Sequence, residues 1–491
     1  MNPLAATITC ERTLAAATEV SQAGASAGGA MENLSGRAAE DLASGTRVPG
    51  PAGALTVSVV EGLASFERHG SEIDRLNRES SRPNPFNSFA FLRSYALRSE
   101  YFRPGQGERL YLISESGRTI GIAPMRRAVR NIGGWGLRLP SICMEFLAPL
   151  DTEQPGILSA PQNAHRVAAA LIRHFCEDEQ NWSMLDFAGQ RPDSALREAV
   201  LAAGGARFRA REIPVDPYHE IDLAGLDLTA YFRSLSKKMR SNISRQARRL
   251  FGIGEPELIL AHGAEAVTAW FDAYCDLDGR SWKSGTASSI SRDPRRVRFY
   301  REIAAGRAGL EPGFVGVILD GVLIAGMLTG SNTSASPERH GEWCMEIAYD
   351  RSKAELGAGH LVLLAAVGRA IADGHRALNF MHKFGYYKHR WSAVPIQISS
   401  VQLIRRASIR NARAVLGDWK RHWKSQPNAG TAEGTTTDDQ DDGGQREASP
   451  LTLADLTRAR ELTAQALACS GAGVRRLGRA EASQFLPFDL A

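Results

Sequence analysis

No run of about 18 consecutive apolar residues occurs in this chain, so a membrane span is not expected. The stretch MNPLAATITCERTLAAATEV lacks a basic region followed by an apolar one, so a secretory signal is not expected either. Cysteine is sparse and scattered. Cys10, Cys143, Cys176, Cys275, Cys344 and Cys469 form no C-x-x-C pair, and they fit neither a disulfide framework nor a zinc site. Zinc-finger, RNA-recognition and helix-turn-helix signatures are absent as well, which leaves nucleic acid without specific support. A composition of 43% hydrophobic and 23% charged residues then points to an ordinary globular protein, with the cytoplasm as its expected location.

A chain of 491 residues exceeds one ordinary core and implies two domains plus tails. Residues 1–54 are rich in Ala, Gly, Ser and Thr and bury too little apolar surface to offset the entropy of ordering. They are expected to form a disordered tail. The segment 426–450 reads as a linker for the same reason, and it contains the acidic run Asp438, Asp439, Asp441 and Asp442. Beyond it, LTLADLTRARELTAQALACSG predicts a helix capped by Thr452 and closed by Gly471. The domain expectation is therefore 55–210, 211–425 and a carboxy-terminal 426–491 of acidic linker and helix.

The net charge of +5 is small but unevenly spread. Residues 211–425 hold an excess of roughly nine positive charges, which favours a phosphorylated cofactor, an anionic substrate or a polyanion without choosing among them. Within that excess, YFRSLSKKMRSNISRQARRLF sets Phe232, Leu235, Met239, Ile243, Ala247 and Leu250 at helical spacing. The opposite face carries Arg233, Lys237, Lys238, Arg240, Arg245, Arg248 and Arg249. That face is either a solvated surface or an electrostatic platform for phosphates.

An order of elements repeats along the chain. Two strands flank Ser116-Gly117, and two more flank Asp320-Gly321, both hairpin signals. Each hairpin is followed later by a helix and then a strand: HRVAAALIRHFCEDEQ and WSMLDFAG first, LVLLAAVGRAIADG and RALNFM second. A duplicated α/β unit follows, of mixed α+β character. The richest stretch is 349–391, where a strand feeds Gly357, Ala358 and Gly359, then a helix. Glycines let backbone amides approach a ligand, and a helix N-terminus supplies a positive dipole end; with His360 these residues form a candidate phosphate grip. Glycine at such turns is also explained by its freedom to take positive φ.

The basic helix LSKKMRSNISRQARRL, the hairpin VILDGVLIAGML, the strand MEIAYD with its glycine turn, and above all LNFMHKFGYYKHRW together resemble one family. It is the GNAT-superfamily acetyltransferases of the cellulose-biosynthesis (CelD or BcsL) type, relatives of the FemAB peptidyltransferases. The resemblance covers about 55–420, with Tyr387, Lys388 and Trp391 at the "YK…W" signature. It implies two tandem GNAT-like domains, each a mixed sheet flanked by helices, with the active site in the second. Ala354 and Asn379 depart from the family pattern, whereas Asp186 keeps an acid at the matching place in the first half.

Acyl transfer from a thioester needs a cofactor grip, an oxyanion donor, a base and an acid for the thiolate. The resemblance implies acetyl-CoA or another acyl-CoA as cofactor and a backbone N–H of strand 345–349 as oxyanion donor. Glu346, sharing a strand face with Cys344 and Ala348 by alternation, is a candidate base; His382 is another. Tyr386 or Tyr387 can protonate the thiolate, with a phenol near pKa 10. Lys388 can hold a phosphate or stabilise developing charge, and Trp282 and Lys283 match a cleft-lining loop of the family. Trp391 and Tyr386 are candidate substrate contacts. Each has a plain alternative as a surface or core residue.

The expected function is an acyl-CoA-dependent N- or O-acyltransferase acting by direct transfer. Its acceptor is expected to be a small molecule or saccharide, with polysaccharide biosynthesis suggested by the family. Two alternatives stay open: a Fem-like transferase using aminoacyl-tRNA, with the basic helix on the tRNA, and a non-catalytic scaffold.

Overall fold

Two tight turns set the frame of the sheet. Ser116 (φ 48°) with Gly117 (φ 81°), and Asp320 (φ 52°) with Gly321 (φ 78°), both place two consecutive residues at positive φ. That geometry matches the right-handed twist of the strands it joins, so both expected hairpins form. The computed structural model describes residues 54–98, 107–132, 139–148, 154–179, 181–286, 288–332, 341–381, 386–406, 452–469 and 471–487. The expected tail (1–54, apart from residue 54) and the linker 426–450 lie outside the described residues.

The first half comprises β1 (Leu55–Glu61), α1 (Leu63–Arg68), α2 (Gly70–Glu79), α3 (Phe89–Arg98), β2 (Glu108–Glu115), β3 (Arg118–Ile132), β4 (Leu139–Phe146), β5 (Leu158–Ser159), α4 (Ala164–Glu177), β6 (Met184–Gln190), α5 (Ala195–Ala202) and β7 (Phe208–Asp222). The second half runs α6 (Leu228–Ser234), α7 (Lys237–Phe251), β8 (Pro256–His262), α8 (Ala264–Gly279), α9 (Pro294–Ala304), β9 (Glu311–Leu319), β10 (Val322–Ser331), β11 (Gly341–Tyr349), α10 (Ala358–Ala372), β12 (Ala377–Asn379), α11 (Tyr386–Arg390) and β13 (Val394–Arg405). After the undescribed stretch come α12 (Leu453–Cys469), β14 (Val474–Leu477) and α13 (Arg479–Phe485).

All the strands join one mixed sheet, in the order β1-β2-β3-β4-β6-β13-β7-β12-β11-β10-β9-β8-β14, with β5 pairing β3 off that path. Helices flank it in both halves, as expected for two α/β units. The halves share strands: β13, last of the second half, lies between β6 and β7, while β7 continues past it to pair with β12.

Apolar periodicity explains the layers. In the second half α7 and α10 cover one face, their buried Met239, Ile243, Ala247 and Leu250 meeting Leu361, Leu364 and Ala365. On the other face lie α8 and α9, joined by α1–α3 of the first half, where Phe86 packs on Trp343 and Phe91 on Phe299. The expected helix over 231–251 is broken. Ser236 leaves helical geometry and caps α7 by accepting from the Met239 amide at 3.2 Å, because a serine at that place satisfies an otherwise orphaned N–H. The apolar stripe runs across the break unharmed.

Thr452 accepts from the Asp455 amide at 3.2 Å, and Gly471 stands at φ 53°, so the expected carboxy-terminal helix has its expected ends. It docks on the body. The Leu323 amide donates to buried Thr463 of α12, and β14 pairs antiparallel with β8, covering that edge.

Candidate functional site

β11 and β12 run parallel, but their pairing stops at Trp343 and Asn379. Beyond that point β12 follows its other neighbour: the Phe380 amide donates to His219 O at 2.8 Å. β11 continues six residues further, so the two strands part and, among the described residues, one edge of β11 has no strand beside it. A bulge sits at the parting. Leu328 faces Glu346 and Thr329 faces Cys344, leaving Met345 as the extra residue.

The bulge corrects one expectation. Simple alternation puts Glu346 on the face of Cys344, yet Cys344 packs in the α7/α10 core while Met345 and Ala348 pack on the α8 side. Glu346 also reaches toward α8 and α9. Its Oε2 is 2.5 Å from Lys283 Nζ, and its Oε1 accepts from Arg296 Nη2 at 2.7 Å and from the Tyr300 hydroxyl at 3.2 Å. Lys283 Nζ lies 3.1 Å from Asp278 Oδ1 as well.

Asp278, with no exposed surface, also accepts from Ser289 Oγ (2.5 Å) and the Ser291 amide (3.0 Å). Burial alone would raise its carboxyl; the Lys283 charge and the serine donors outweigh it and hold the group below the ordinary carboxylate range. Two carboxylates and two cations thus share one largely buried cluster. Glu346 already accepts from three donors, two of them cationic, so taking a proton would weaken the pairs that hold it.

The glycine turn lies at the same end of β11. Gly357 adopts φ 64° and caps α10, and a Cβ there would stand 2.3 Å from the Gln246 side chain of α7. Gln246 Oε1 is 2.7 Å from His360 Nδ1. Burial first, then Arg390, lowers the His360 imidazole below its ordinary value. The amides of Gly357 and His360 are spent inside the turn, on Ala354 O and Gly357 O. Those of Ala358, which is buried, and Gly359, which is half-buried, lie in the first turn of α10 and have no intrahelical acceptor. A Cβ on Gly359 would meet the Tyr349 ring at 3.1 Å, and Tyr349 in turn neighbours exposed Trp282, their ring centroids 6.5 Å apart.

The aromatic–basic segment borders this turn, but several of its side chains face inward. Lys388 is buried and donates to Phe380 O and Met381 O, both at 2.8 Å, tying α11 to the end of β12. Its ammonium is thus committed to carbonyls, contrary to the expectation of a phosphate contact. Trp391, expected at the substrate, has no exposed surface. Its ring lies 6.0 Å from that of His360, inside the core. Tyr386 and Tyr387 open α11, although their side chains lie outside the described set; so does His382 altogether. His219 of β7 brings Nε2 within 3.3 Å of His389 Nε2, and burial, with Lys388 and His389 nearby, lowers it to about 4.

The matching place in the first half is filled. β4 and β6 pair in parallel there, but Asn84, Asn87 and Gln190 hold the carbonyls of Gln154 and Pro155 against it. Asp186 is buried and accepts from Ser400 Oγ at 2.5 Å.

Residues 237–389 match the family model of an acetyltransferase (GNAT) domain. The second half therefore carries a GNAT-type domain, whose matched segment runs from α7 through the parted strands to α11. No curated protein matches the chain. Similar solved structures include FemX, with TM-score 0.47 and 10% identity over 70% of this chain and 96% of that one. Another is a tandem GNAT protein from the clavulanic acid biosynthesis pathway, with TM-score 0.43 and 12% identity over 72% and 99%. A conserved protein of unknown function from Bacteroides thetaiotaomicron gives 0.44 and 12% over 71% and 100%.

Sequence reasoning missed Asp278, Arg296, Tyr300, Gln246 and Tyr349. Arg296 sits in RRVRFYR, where nothing distinguishes an inward arginine from its solvated neighbours. Asp278 and Lys283 are five apart in DLDGRSWKSG, a spacing that becomes meaningful only once the chain turns after α8.

Proposed function

We propose that this protein is an acyl-CoA-dependent N- or O-acyltransferase that moves an acetyl or other acyl group directly to an amine or hydroxyl. The observation that carries this reading is the parting of β11 and β12 beside the α10 N-terminus. That gap offers unpaired β11 backbone to a pantetheine arm and the Ala358 and Gly359 amides to its pyrophosphate. Gly359 fits the role, since a side chain there would press on Tyr349.

In the transfer, the acceptor's lone pair attacks the thioester carbonyl carbon, and a β11 amide near the bulge stabilises the oxyanion. The carbon–sulfur bond then breaks. Glu346 takes the acceptor's proton, and Tyr387 of α11 returns a proton to the departing thiolate. Exposed Trp282 lines the acceptor side, and its buried neighbour Lys283 holds Glu346 in place. A small molecule or saccharide is the acceptor class, and a polysaccharide precursor follows from the CelD/BcsL resemblance.

One observation supports a second reading, a Fem-like transfer from aminoacyl-tRNA: Lys237, Lys238, Arg245, Arg248 and Arg249 of α7 are all exposed. Thermal melting with acetyl-CoA, longer acyl-CoAs and bulk tRNA separates the two. Stabilisation by an acyl-CoA is the expected result. Stabilisation by tRNA alone would favour the second reading, and no response to any ligand would favour a scaffold without catalysis.

A further inference from the structure

Three arginines meet at the first-half end of the β7/β13 ladder. Arg405 pairs in register with Phe208, and the Arg406 amide donates to Arg207 O at 3.0 Å. The ladder thus extends one step and sets Arg406 opposite Arg207. Like charges facing each other across strands repel, so the arrangement costs stability unless an anion offsets it. The chain supplies none. Arg207 and Arg406 are exposed, and neither has an ion-pair partner among the described residues. Arg405 is half-buried and donates to Glu179 O, a neutral carbonyl, at 3.2 Å. The Glu179 carboxylate is spent elsewhere, on Arg109 and on the Tyr111 hydroxyl, both at 2.7 Å. Burial first, then the Arg207 charge, lowers Arg405 below its ordinary value, as expected of a cation held beside a like charge.

A hollow of about 400 Å³ opens among them, lined by Ala206, Arg207, Phe208, Arg405 and Arg406, with no carboxylate in its wall among the described residues. Its base is a packed aromatic pair: Phe208 stacks on Trp182, ring centroids 5.6 Å apart. Arg207 and Arg405 both lie over the Phe208 ring, at 5.4 and 5.5 Å, and Arg405 also lies 4.5 Å from the centre of the Trp182 ring. A stack on a ring engages the face of a guanidinium. It leaves the N–H edge for an oxyanion.

We infer that this hollow binds a phosphate-bearing small molecule, whose phosphoryl oxygens take the N–H edges of Arg207, Arg405 and Arg406. Guanidinium matches phosphate geometrically through paired N–H···O bonds, and three such forks suit the charge and the three terminal oxygens of a phosphomonoester. The site stands apart from the transfer chemistry. Phe208 begins β7, and β7 meets β12 only from Glu220, 12 residues or about 40 Å of strand further along. The inference therefore holds whether or not the acyl-CoA reading does.

Titration calorimetry of the full chain with inorganic phosphate tests it, against potassium chloride at matched ionic strength. Phosphate is expected to bind the wild type, and the double change Arg207→Gln with Arg406→Gln to weaken it about tenfold or more, the worth of one charged hydrogen bond. Because both side chains are exposed and repel each other, the double variant should melt, without ligand, no lower than the wild type. Cys176 reports the location. Burial raises its thiol, while the charges of Arg405 and Arg207 lower it. Bound phosphate is expected to offset those charges and slow alkylation of Cys176 by iodoacetamide, leaving exposed Cys469 unchanged. Glucose 6-phosphate and vesicles containing phosphatidic acid then separate the sources of the phosphate. Binding of the soluble ester, lost in the double variant, supports the inference. A response to vesicles alone assigns the arginines to a lipid surface and overturns the small-molecule site. Equal phosphate binding by wild type and double variant, no binding by the wild type, or unaltered Cys176 alkylation with phosphate bound overturns it outright.

Discussion

Lys283 shows how much rests on one side chain in this molecule. It is the cation common to Asp278 and Glu346, so removing it leaves buried Asp278 with no cation and Glu346 with Arg296 alone. Breaking a buried pair by deleting one partner typically costs about 3–5 kcal/mol. Lys283→Met is expected to lose that much stability in urea denaturation, and adding Glu346→Gln should recover part of it. Equal midpoints for Lys283→Met and wild type would show that the cluster contributes nothing. His219 gives a pH signature. Its folded value near 4 lies below the ordinary 6.5, so between these limits the unfolded chain binds a proton that the folded chain refuses. Stability should thus fall as pH drops from 6.5 to 4, with His360 acting in the same direction. His219→Gln is expected to flatten that slope, and an unchanged slope would assign it to other groups.

At the scale of elements, the β11–α10 connection does two jobs with two glycines. Gly357 needs its left-handed backbone and the space taken by Gln246, so Gly357→Ala should cost about 1–3 kcal/mol, read by chemical denaturation. Gly359 is helical, and alanine favours a helix by up to about 1 kcal/mol over glycine, which offsets pressure on Tyr349. Gly359→Ala should therefore leave the melting midpoint nearly unchanged while weakening acetyl-CoA binding about tenfold, since the displaced Tyr349 ring disturbs the grip. Unaltered acetyl-CoA affinity would move the phosphate contact away from this turn.

Across the whole molecule, neither half closes its sheet alone. β13 completes the first half, β7 bridges to β12, and α1–α3 cover part of the second half's face. The carboxy-terminal segment belongs to this body too: Leu477 and Leu486 are buried in the second-half core beside Leu258 and Phe251. At about 1.5–3 kcal/mol per large apolar side chain, losing these two alone costs about 3–6 kcal/mol. A chain ending at residue 451 should melt several degrees lower, by about 2–4 °C per kcal/mol at domain sizes of 150–250 residues. A midpoint equal to the full chain would show that α12, β14 and α13 sit on the surface without supporting it.

Local features were legible in the residues alone. Ser116-Gly117 and Asp320-Gly321 demand hairpins because few residues tolerate positive φ, and apolar spacing gave α4, α7 and α10 their buried faces. Thr452 and Gly471 bounded α12 through capping chemistry. Whatever depends on distant partners was decided by the tertiary structure. One extra residue, Met345, turns Glu346 to the opposite face, and alternation has no means of foreseeing a bulge. Lys388 turned inward because two carbonyls at the end of β12 await a donor, and Arg296 became a site residue because α9 packs across β11. Pairing of β13 with β6 joins residues more than 200 apart, a contact that no window of sequence contains.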